Sequence, residues 1–378
     1  MNILLLTHSY PNRSDALKGI FIREQAQLLS SFFDVTVVLF RVDYSHFKFF
    51  PEYSFSKVAT GKLTEYEVTI HKSLPGITQI IYILTTYRFI VKEILNKNRP
   101  DLIHSHLSYP AGFLGTIIQK RKGIPNILTE HTKIRAYTRS WFHKQCLNYT
   151  YRNTCSIVSV SNTLKTEINQ VFNRHISVIY NYVDVDKFKI PGTKDGDKIN
   201  IGFIGRLGNY NKGLDLLLAA VSQLGRKDFL LHIGGSGSLI PHFKEYAKEL
   251  GIETNCKFYG EIPRDKIPEF YSCLDMFVLA SRYETFGIVI IEAMASGIPV
   301  IATKCGGPQE IVTPSTGILV ENENIGELTA AITYISENMS LYKAEVIRHY
   351  VKDNFGKQVF VKQISKLYYE IITINSNE

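Results

Sequence analysis

Short apolar runs alternate with longer amphipathic stretches along this chain, and near its middle the alternation starts over. Residues 2–7, 35–40, 102–104, 126–129 and 157–160 read as buried strands, with helical patterns such as 20–31 and 111–122 between them. Parallel strands cannot be joined by a tight turn; each needs a crossover, usually a helix, which then covers a face of the sheet. The order therefore predicts a parallel sheet with helices on both faces. A second set of strands follows at 201–205, 229–234, 257–260, 276–279, 299–302 and 317–320, separated by helical stretches such as 213–224 and 288–296. At 378 residues the chain is too long for one ordinary core. The fold class expected is α/β, with two Rossmann-like, doubly wound parallel-sheet domains facing across a cleft.

The best junction is the polar segment 184–197, DVDKFKIPGTKDGD, which carries Pro and Gly. It gives an N-terminal domain over 1–184 and a C-terminal domain over 185–356. The stretch 354–374 reads as helical, and the end of the chain, 357–378, is expected to pack back on the first domain. Ligands of doubly wound folds sit beyond the carboxyl ends of the strands.

Charge is spread unevenly. Residues 1–184 contain 22 Lys and Arg against 12 Asp and Glu, whereas the remainder contains 21 against 23. A basic half suggests an anionic partner, either a phosphorylated acceptor or an anionic membrane surface. No nucleic-acid partner is expected. Five cysteines without a CxxC pair indicate neither a disulfide framework nor a zinc site, and suggest a reducing, cytoplasmic setting. The apolar start MNILLL lacks a basic leader and a cleavage site, so it reads as a first strand. The apolar stretch 77–91 is too short to span a bilayer and is interrupted by Arg88. Membrane contact is therefore expected to be peripheral, at the inner face of the cell membrane.

Four segments carry chemistry. The strongest is 281–310, SRYETFGIVIIEAMASGIPVIATKCGGPQE. A strand ends at Leu279, Glu284-Thr285-Phe286-Gly287 turns, and a helix runs from Ile288 to Ser296, with Gly297 as its C-cap. This puts Glu284 at the lip of the cleft and Glu292 about two turns into the helix. Backbone N–H groups around Thr285, Phe286, Gly287 and Ile288 would face a polar ligand or an anion. A carboxylate such as Glu292 can accept from both hydroxyls of a ribose. The second segment, 201–217, IGFIGRLGNYNKGLDLL, leads from a strand through Arg206 and Lys212 into a helix. Both cations are placed to hold a diphosphate, Arg as a fork and Lys as a mobile point charge. The third, 126–131, NILTEH, puts Glu130 and His131 at the carboxyl end of a strand, where the histidine would touch a transferred sugar or an acceptor. The fourth, 8–27, HSYPNRSDALKGIFIREQAQ, ends its loop at Lys18-Gly19 before a helix, and glycine there permits close approach to a phosphate.

Two glutamates with seven residues between them, then AMASGIPVIA and a GGPxE turn, closely resemble the donor-site signature of the retaining glycosyltransferase family 4, group 1, with its GT-B architecture. The resemblance covers nearly the whole chain and is strongest from Ile201 to Glu310. It implies an acceptor on the N-domain and a nucleoside-diphosphate sugar on the C-domain, UDP being the family's commoner donor over GDP or ADP. It gives Arg206 and Lys212 the diphosphate, Glu284 the sugar hydroxyls, His131 a contact with the donor sugar and Gly19 a contact with the phosphate. Many members have a Gly-Gly pair where this chain has Lys18-Gly19. The run 234–237, GGSG, resembles the family's Gly-rich donor loop and makes Gly235 a candidate. The segment 258–266, FYGEIPRDK, lies where the family binds the base, so Arg264 is a candidate base contact. Asn181-Tyr182-Val183-Asp184 resembles the family's NGVD, with Tyr in the glycine position.

His104 and His106 of the HSH triplet are placed either to line the acceptor side or to serve as structural histidines. Lys133, Arg135, Tyr137, Arg139 and Trp141 form a basic and aromatic stretch that reads either as a grip for an anionic acceptor or as a solvated helix face. Asp184-Val185-Asp186 is formally a DxD, but at the junction it reads as a loop element. No metal cofactor is expected, because Arg206 and Lys212 supply the cationic role. The predicted activity is retaining transfer of a hexose or N-acetylhexosamine to a glycan or lipid-linked acceptor, by front-face substitution, in cell-envelope polysaccharide assembly. A sugar-nucleotide 2-epimerase on the same fold and a non-catalytic nucleotide-sugar binding module are the alternatives. An NAD-dependent dehydrogenase is a poor fit, since no GxGxxG follows the first strand.

Overall fold

A computed structural model describes every residue except 12–14, 16, 48–52, 73–77, 135–139, 193–197, 226–227 and 377–378. The chain divides into two compact units, Met1–Ile179 with Val361–Glu378, and Tyr180–Phe360.

Among the described residues, the first unit contains β1 (Asn2–Thr7), β2 (Asp34–Phe47), β3 (Tyr53–Thr60), β4 (Leu63–Lys72), β5 (Leu102–His106), β6 (Asn126–Glu130), β7 (Ser156–Ser159) and β8 (Ser177–Val178). They form one sheet in the order β3-β4-β2-β1-β5-β6-β7-β8. Every pairing is parallel except β3 with β4. That hairpin corrects the purely parallel expectation. Gly61 at φ +59° turns the chain, so β3 can double back from Thr60↔Leu63 to Tyr53↔Ile70. β3 is an exposed edge strand, and such a strand has no continuous apolar run by which to recognise it.

Leu4, Leu6, Val38, Phe40, Val68 and Ile70 share a core with Tyr82, Phe89 and Ile90 from the helical stretch after β4, and with Leu114 and Ile118 of the helix Phe113–Lys122. Fully burying a side chain such as Phe40 or Phe89 contributes roughly 1.5–3 kcal/mol. Of the apolar stretch 77–91, Ile77 lies outside the described residues, and Thr78–Phe89 is a core-packing helix anchored by Tyr82 Oη donating to the Phe40 carbonyl at 2.8 Å. No helix among the described residues is long and apolar enough to cross a membrane.

The second unit contains β9 (Ile199–Ile204), β10 (Phe229–Gly234), β11 (Cys256–Gly260), β12 (Met276–Leu279), β13 (Val300–Thr303) and β14 (Gly317–Val320). Its sheet is parallel throughout, in the order β11-β10-β9-β12-β13-β14. The winding reverses between β9 and β12 here, and between β1 and β5 in the first unit. The carboxyl ends of those neighbouring strands are the switch points at which such folds form ligand crevices.

The units part after Ile179, five residues ahead of the 184/185 junction expected from sequence. Ile179 N–H still bonds the Ser159 carbonyl of the first unit at 3.1 Å. Val183 N–H bonds the Phe355 carbonyl at 2.9 Å, within the second unit. Lys357 Nζ holds Asp184 at 3.0 Å and Asp186 at 2.7 Å. The formal DxD thus forms a structural clasp. The helical tail is broken: one helix ends at Phe355, Gly356 is extended (φ −72°, ψ 159°), and a second runs Lys357–Ser376. The part from Val361 onward belongs to the first unit, where Tyr368 packs edge-on against Phe33 at 5.8 Å.

Candidate functional site

Most of the candidate residues collect at the β9/β12 switch point of the second unit. After β9 the chain passes through Arg206, which is exposed, to a short turn at Tyr210–Lys212. Gly213 follows at φ +68° and opens the helix Leu214–Ser222. A side chain could not stand there: a Cβ on Gly213 would lie 1.8 Å from the Ala280 carbonyl oxygen. That close approach sets Lys212 beside the loop that leaves β12, where its Nζ meets Glu284 Oε2 at 2.5 Å. The two side chains are 24% and 15% exposed. Glu284 is held by its backbone, its N–H donating to Cys305 O at 3.2 Å and its carbonyl accepting from Gly307 N–H at 2.8 Å.

Arg282 and Asp215, which motif reading passed over, hold this arrangement. The Arg282 guanidinium forks onto Asp215 at 3.0 and 2.7 Å, and its Nε donates to Glu323 at 2.8 Å. Its Nη1 also donates to the Tyr210 carbonyl at 2.5 Å, and its backbone N–H donates to the Asn211 carbonyl at 2.8 Å. These bonds fasten the Lys212 turn to the Glu284 loop. An arginine two residues before Glu284 was the visible signal; its partner, 67 residues away, was not.

Gly235 lies beside the start of the Arg206 loop. Its φ is +127°, and a Cβ there would lie 1.8 Å from the Gly205 carbonyl oxygen. Leu207 N–H donates to Ser236 O at 2.8 Å, which zips the two loops together.

The turn Glu284–Gly287 delivers the helix Ile288–Ala295, capped by Gly287 at φ +100°. Glu292 is the fifth residue of this helix, about one turn in rather than two. It is 2% exposed. Its Oε1 accepts from Arg264, and its Oε2 accepts from Tyr271 Oη at 3.3 Å. Arg264 and Glu292 are thus brought together as a pair. The Phe286 ring lies in the core, stacked on Tyr180 at 5.8 Å and edge-on to Phe355 at 5.9 Å. Phe286 can therefore present only backbone to a ligand, whereas Thr285 and Ile288 are half-buried.

Gly19 and His131 belong to the first unit. Gly19, at φ +60°, opens the helix Ile20–Leu29. The Phe21 ring of that helix lies 4.8 Å from the His131 ring, so the helix start and the histidine are neighbours. His131 follows β6 directly, and its Nε2 lies 2.9 Å from His106 Nδ1. Burial, with the neighbouring His104 second, pushes His131 down to about 3, so the ring is neutral at ordinary pH. Burial likewise holds His104 at about 3 and His106 well below the usual range. His104 is fixed by Tyr368 Oη at 2.6 Å and Thr129 Oγ1 at 2.7 Å, so it is a satisfied core histidine rather than a lining residue.

Glu130 is fully buried and accepts four hydrogen bonds, from the N–H groups of Ser108, His131 and Thr132 and from Tyr151 Oη. Desolvation raises its pKa, and those donors act against the rise. Arg135, Tyr137 and Arg139 of the basic and aromatic stretch lie outside the described residues; Trp141 is 75% exposed.

Residues 19–187 match the family Glycosyltransferase Family 4, and residues 184–353 match Glycosyl transferases group 1. An uncharacterized glycosyltransferase of Methanocaldococcus jannaschii is 29% identical over 315 residues, which cover 81% of this chain and 86% of that protein. Sucrose-phosphate synthase from Thermosynechococcus elongatus superposes with a TM-score of 0.81 at 20% identity, over 99% of this chain and 100% of that one. Anabaena HepE, solved in complex with UDP and glucose, gives 0.75 at 20% identity, over 97% and 99%. These two structures share the GT-B fold with this chain.

Proposed function

The chain belongs to glycosyltransferase family 4, and on that premise we propose that it moves a hexose or N-acetylhexosamine from a UDP-sugar to a glycan or lipid-linked acceptor, with retention at the anomeric carbon. The observation that carries this reading is the Lys212–Glu284 pair at the β9/β12 switch point. A cation fixed there meets the diphosphate, and Arg206 joins it from the same loop. As the anomeric C–O bond breaks, negative charge grows on the departing phosphate, and preorganised cations stabilise it. The acceptor oxygen forms the new bond on the same face, and its proton passes to the departing phosphate oxygen. Glu284 serves the sugar hydroxyls and the charge of Lys212 and does not act as a nucleophile. Glu292 serves the ribose and Arg264 the base. From the first unit, His131 serves the transferred sugar and Gly19 N–H the phosphate. The cationic work falls to side chains, and no metal takes part. UDP is preferred as the carrier because HepE was solved with it.

The acceptor side draws support from three helical stretches of the first unit. Thr78–Leu95, Phe113–Lys122 and Trp141–Asn153 hold seven Lys and Arg and one acid, Glu93. Ile80, Leu84 and Trp141 of the same stretches are exposed. A basic surface with scattered apolar side chains suits an anionic membrane face, and hence a lipid-linked acceptor met from the cytoplasm in envelope polysaccharide assembly.

Thermal unfolding with UDP, GDP, ADP and NAD in separate samples tests the donor reading. A hundredfold excess over Kd stabilises by about 2.7 kcal/mol. Stabilisation by UDP is expected; stabilisation by NAD alone refutes the reading.

A further inference from the structure

His106 ends β5 and His131 follows β6, and the parallel register sets His106 against Thr129, so both rings emerge at adjacent carboxyl ends. The rings are nearly parallel, 13° apart, and joined by the 2.9 Å contact between His106 Nδ1 and His131 Nε2. The outer nitrogens, His106 Nε2 and His131 Nδ1, are buried and have no hydrogen-bond partner among the described residues. The backbones that carry the rings are fixed by Glu130, which accepts from Ser108 N–H on one loop and His131 N–H on the other. Leu107 between them is held at φ +72°, a strained value for a leucine.

Two neutral imidazoles carry one N–H each, and one of those hydrogens lies in the bond between them. Either His131 donates from Nε2, which leaves the second N–H on His106 Nε2, or His106 donates from Nδ1, which leaves it on His131 Nδ1. An orphaned N–H is worse tolerated in a protein interior than an orphaned acceptor. His106 is 0% exposed and His131 is 8% exposed. Both outer nitrogens are buried, and the second arrangement leaves the unpaired N–H on the residue that lies nearer the surface.

We infer that His106 is a positioning residue: it donates from Nδ1 to His131 Nε2 and so fixes His131 with its proton on Nδ1, as a hydrogen-bond donor to an oxygen of the transferred sugar. The bond one ring nitrogen makes decides the state of the other. The effect on turnover rests on the transferase reading, whereas the tautomer does not.

Nitrogen-15 spectra of the histidine-labelled protein without substrate decide the tautomer, the His131 signal being assigned by its loss in His131→Gln. Wild type is expected to carry the proton on His131 Nδ1. A proton on His131 Nε2 overturns the inference, whatever activity is found. His106→Phe keeps a ring and removes the donor: His131 should shift toward the Nε2–H form, and kcat should fall about 10- to 100-fold, the scale of one lost hydrogen bond in the transition state. Affinity for UDP should stay within about twofold, because neither His106 nor His131 is assigned a contact with the nucleotide. His106→Asn carries a side-chain N–H near the Nδ1 position and should restore both the spectrum and kcat. Unchanged kcat and spectrum in His106→Phe overturn the inference. Absence of transfer with every sugar nucleotide would sink the transferase reading and leave the spectra to judge the tautomer.

Discussion

The Lys212–Glu284 pair makes opposite demands on two substitutions. Removing Lys212 removes the cation; neutralising Glu284 leaves the cation and releases it. The side chains are 24% and 15% exposed. Exposed ion pairs contribute about 0–1 kcal/mol, and losing one partner of a fully buried pair costs about 3–5 kcal/mol. This pair lies between those limits, so Lys212→Ala should cost about 1–2 kcal/mol of stability, or roughly 2–8 °C in Tm. A charged hydrogen bond to a phosphate contributes about 1.5–3 kcal/mol, so UDP affinity should fall about 10- to 150-fold. In Glu284→Gln the ligand no longer competes with a carboxylate for Lys212. UDP should then bind as tightly as in wild type, or up to about tenfold tighter, while turnover falls. Calorimetric titration with UDP at low ionic strength, paired with calorimetric melting of each variant, measures both quantities. Lys212→Ala binding UDP within twofold of wild type would refute the reasoning. So would Glu284→Gln losing as much affinity as Lys212→Ala.

Three further outcomes follow from the same structure. Gly213→Ala should lose about 2–4 kcal/mol, since it meets both a left-handed φ and a carbonyl in its path, whereas Gly208→Ala, with open space around it, should stay within about 0.5 kcal/mol; equal melting temperatures would refute the close-approach argument. His104 and His131 are held at about 3 by burial, so the unfolded chain takes up protons below about pH 6.5 that the native rings refuse. Stability should therefore be full above that pH and fall on acidification toward pH 3, by up to about 1.4 kcal/mol per pH unit per ring, with Glu130, whose pKa is raised, opposing the trend; melts that do not change between pH 7 and 5 would contradict this. Finally, the protein should sediment with vesicles containing phosphatidylglycerol and not with phosphatidylcholine alone. At about 1 kcal/mol per basic residue, reversing Lys120, Arg121 and Lys122 should weaken that binding by 100-fold or more; undiminished sedimentation would remove this face from the membrane.

Much of the second unit could be read from its sequence because its signals are local. Its parallel strands are short and largely apolar, broken at few positions such as Asn200, His232 and Lys257, and Gly213, Gly235 and Gly287 mark the turns where no side chain fits or where φ must be positive. What escaped depends on distant partners. Arg282 reads as an ordinary basic residue until Asp215, 67 positions away, is seen in its fork. The β3–β4 hairpin escaped because β3 buries almost nothing. The break at Gly356 escaped because apolar residues recur at helical spacing on both sides of it, as Val351 and Phe355 do before it and Phe360 and Ile364 after it. The HSH triplet was visible, but the different fates of its two histidines were not. They follow from diagonal neighbours two places beyond each register partner: Thr129 Oγ1 meets His104, and His131 meets His106.

The distribution of these contacts bears on how a ligand can be admitted. A lysine that both grips an incoming diphosphate and holds its own loop in place would lose the loop geometry whenever it turned to the ligand. Here the two tasks are separated. The turn Tyr210–Lys212 is fastened through its backbone carbonyls at Tyr210 and Asn211 to Arg282, and Arg282 is fixed in turn by Asp215 and Glu323. Among the described residues, Lys212 contributes its side-chain contact with Glu284. Glu284 is likewise held by its backbone, through Cys305 and Gly307. Exchanging a carboxylate for a phosphate at Lys212 Nζ therefore requires a side chain to move and leaves both loops where they are. A site whose loops need not reorganise spends little of the ligand's binding energy on ordering. It also presents its charge already in place when negative charge develops on the leaving group.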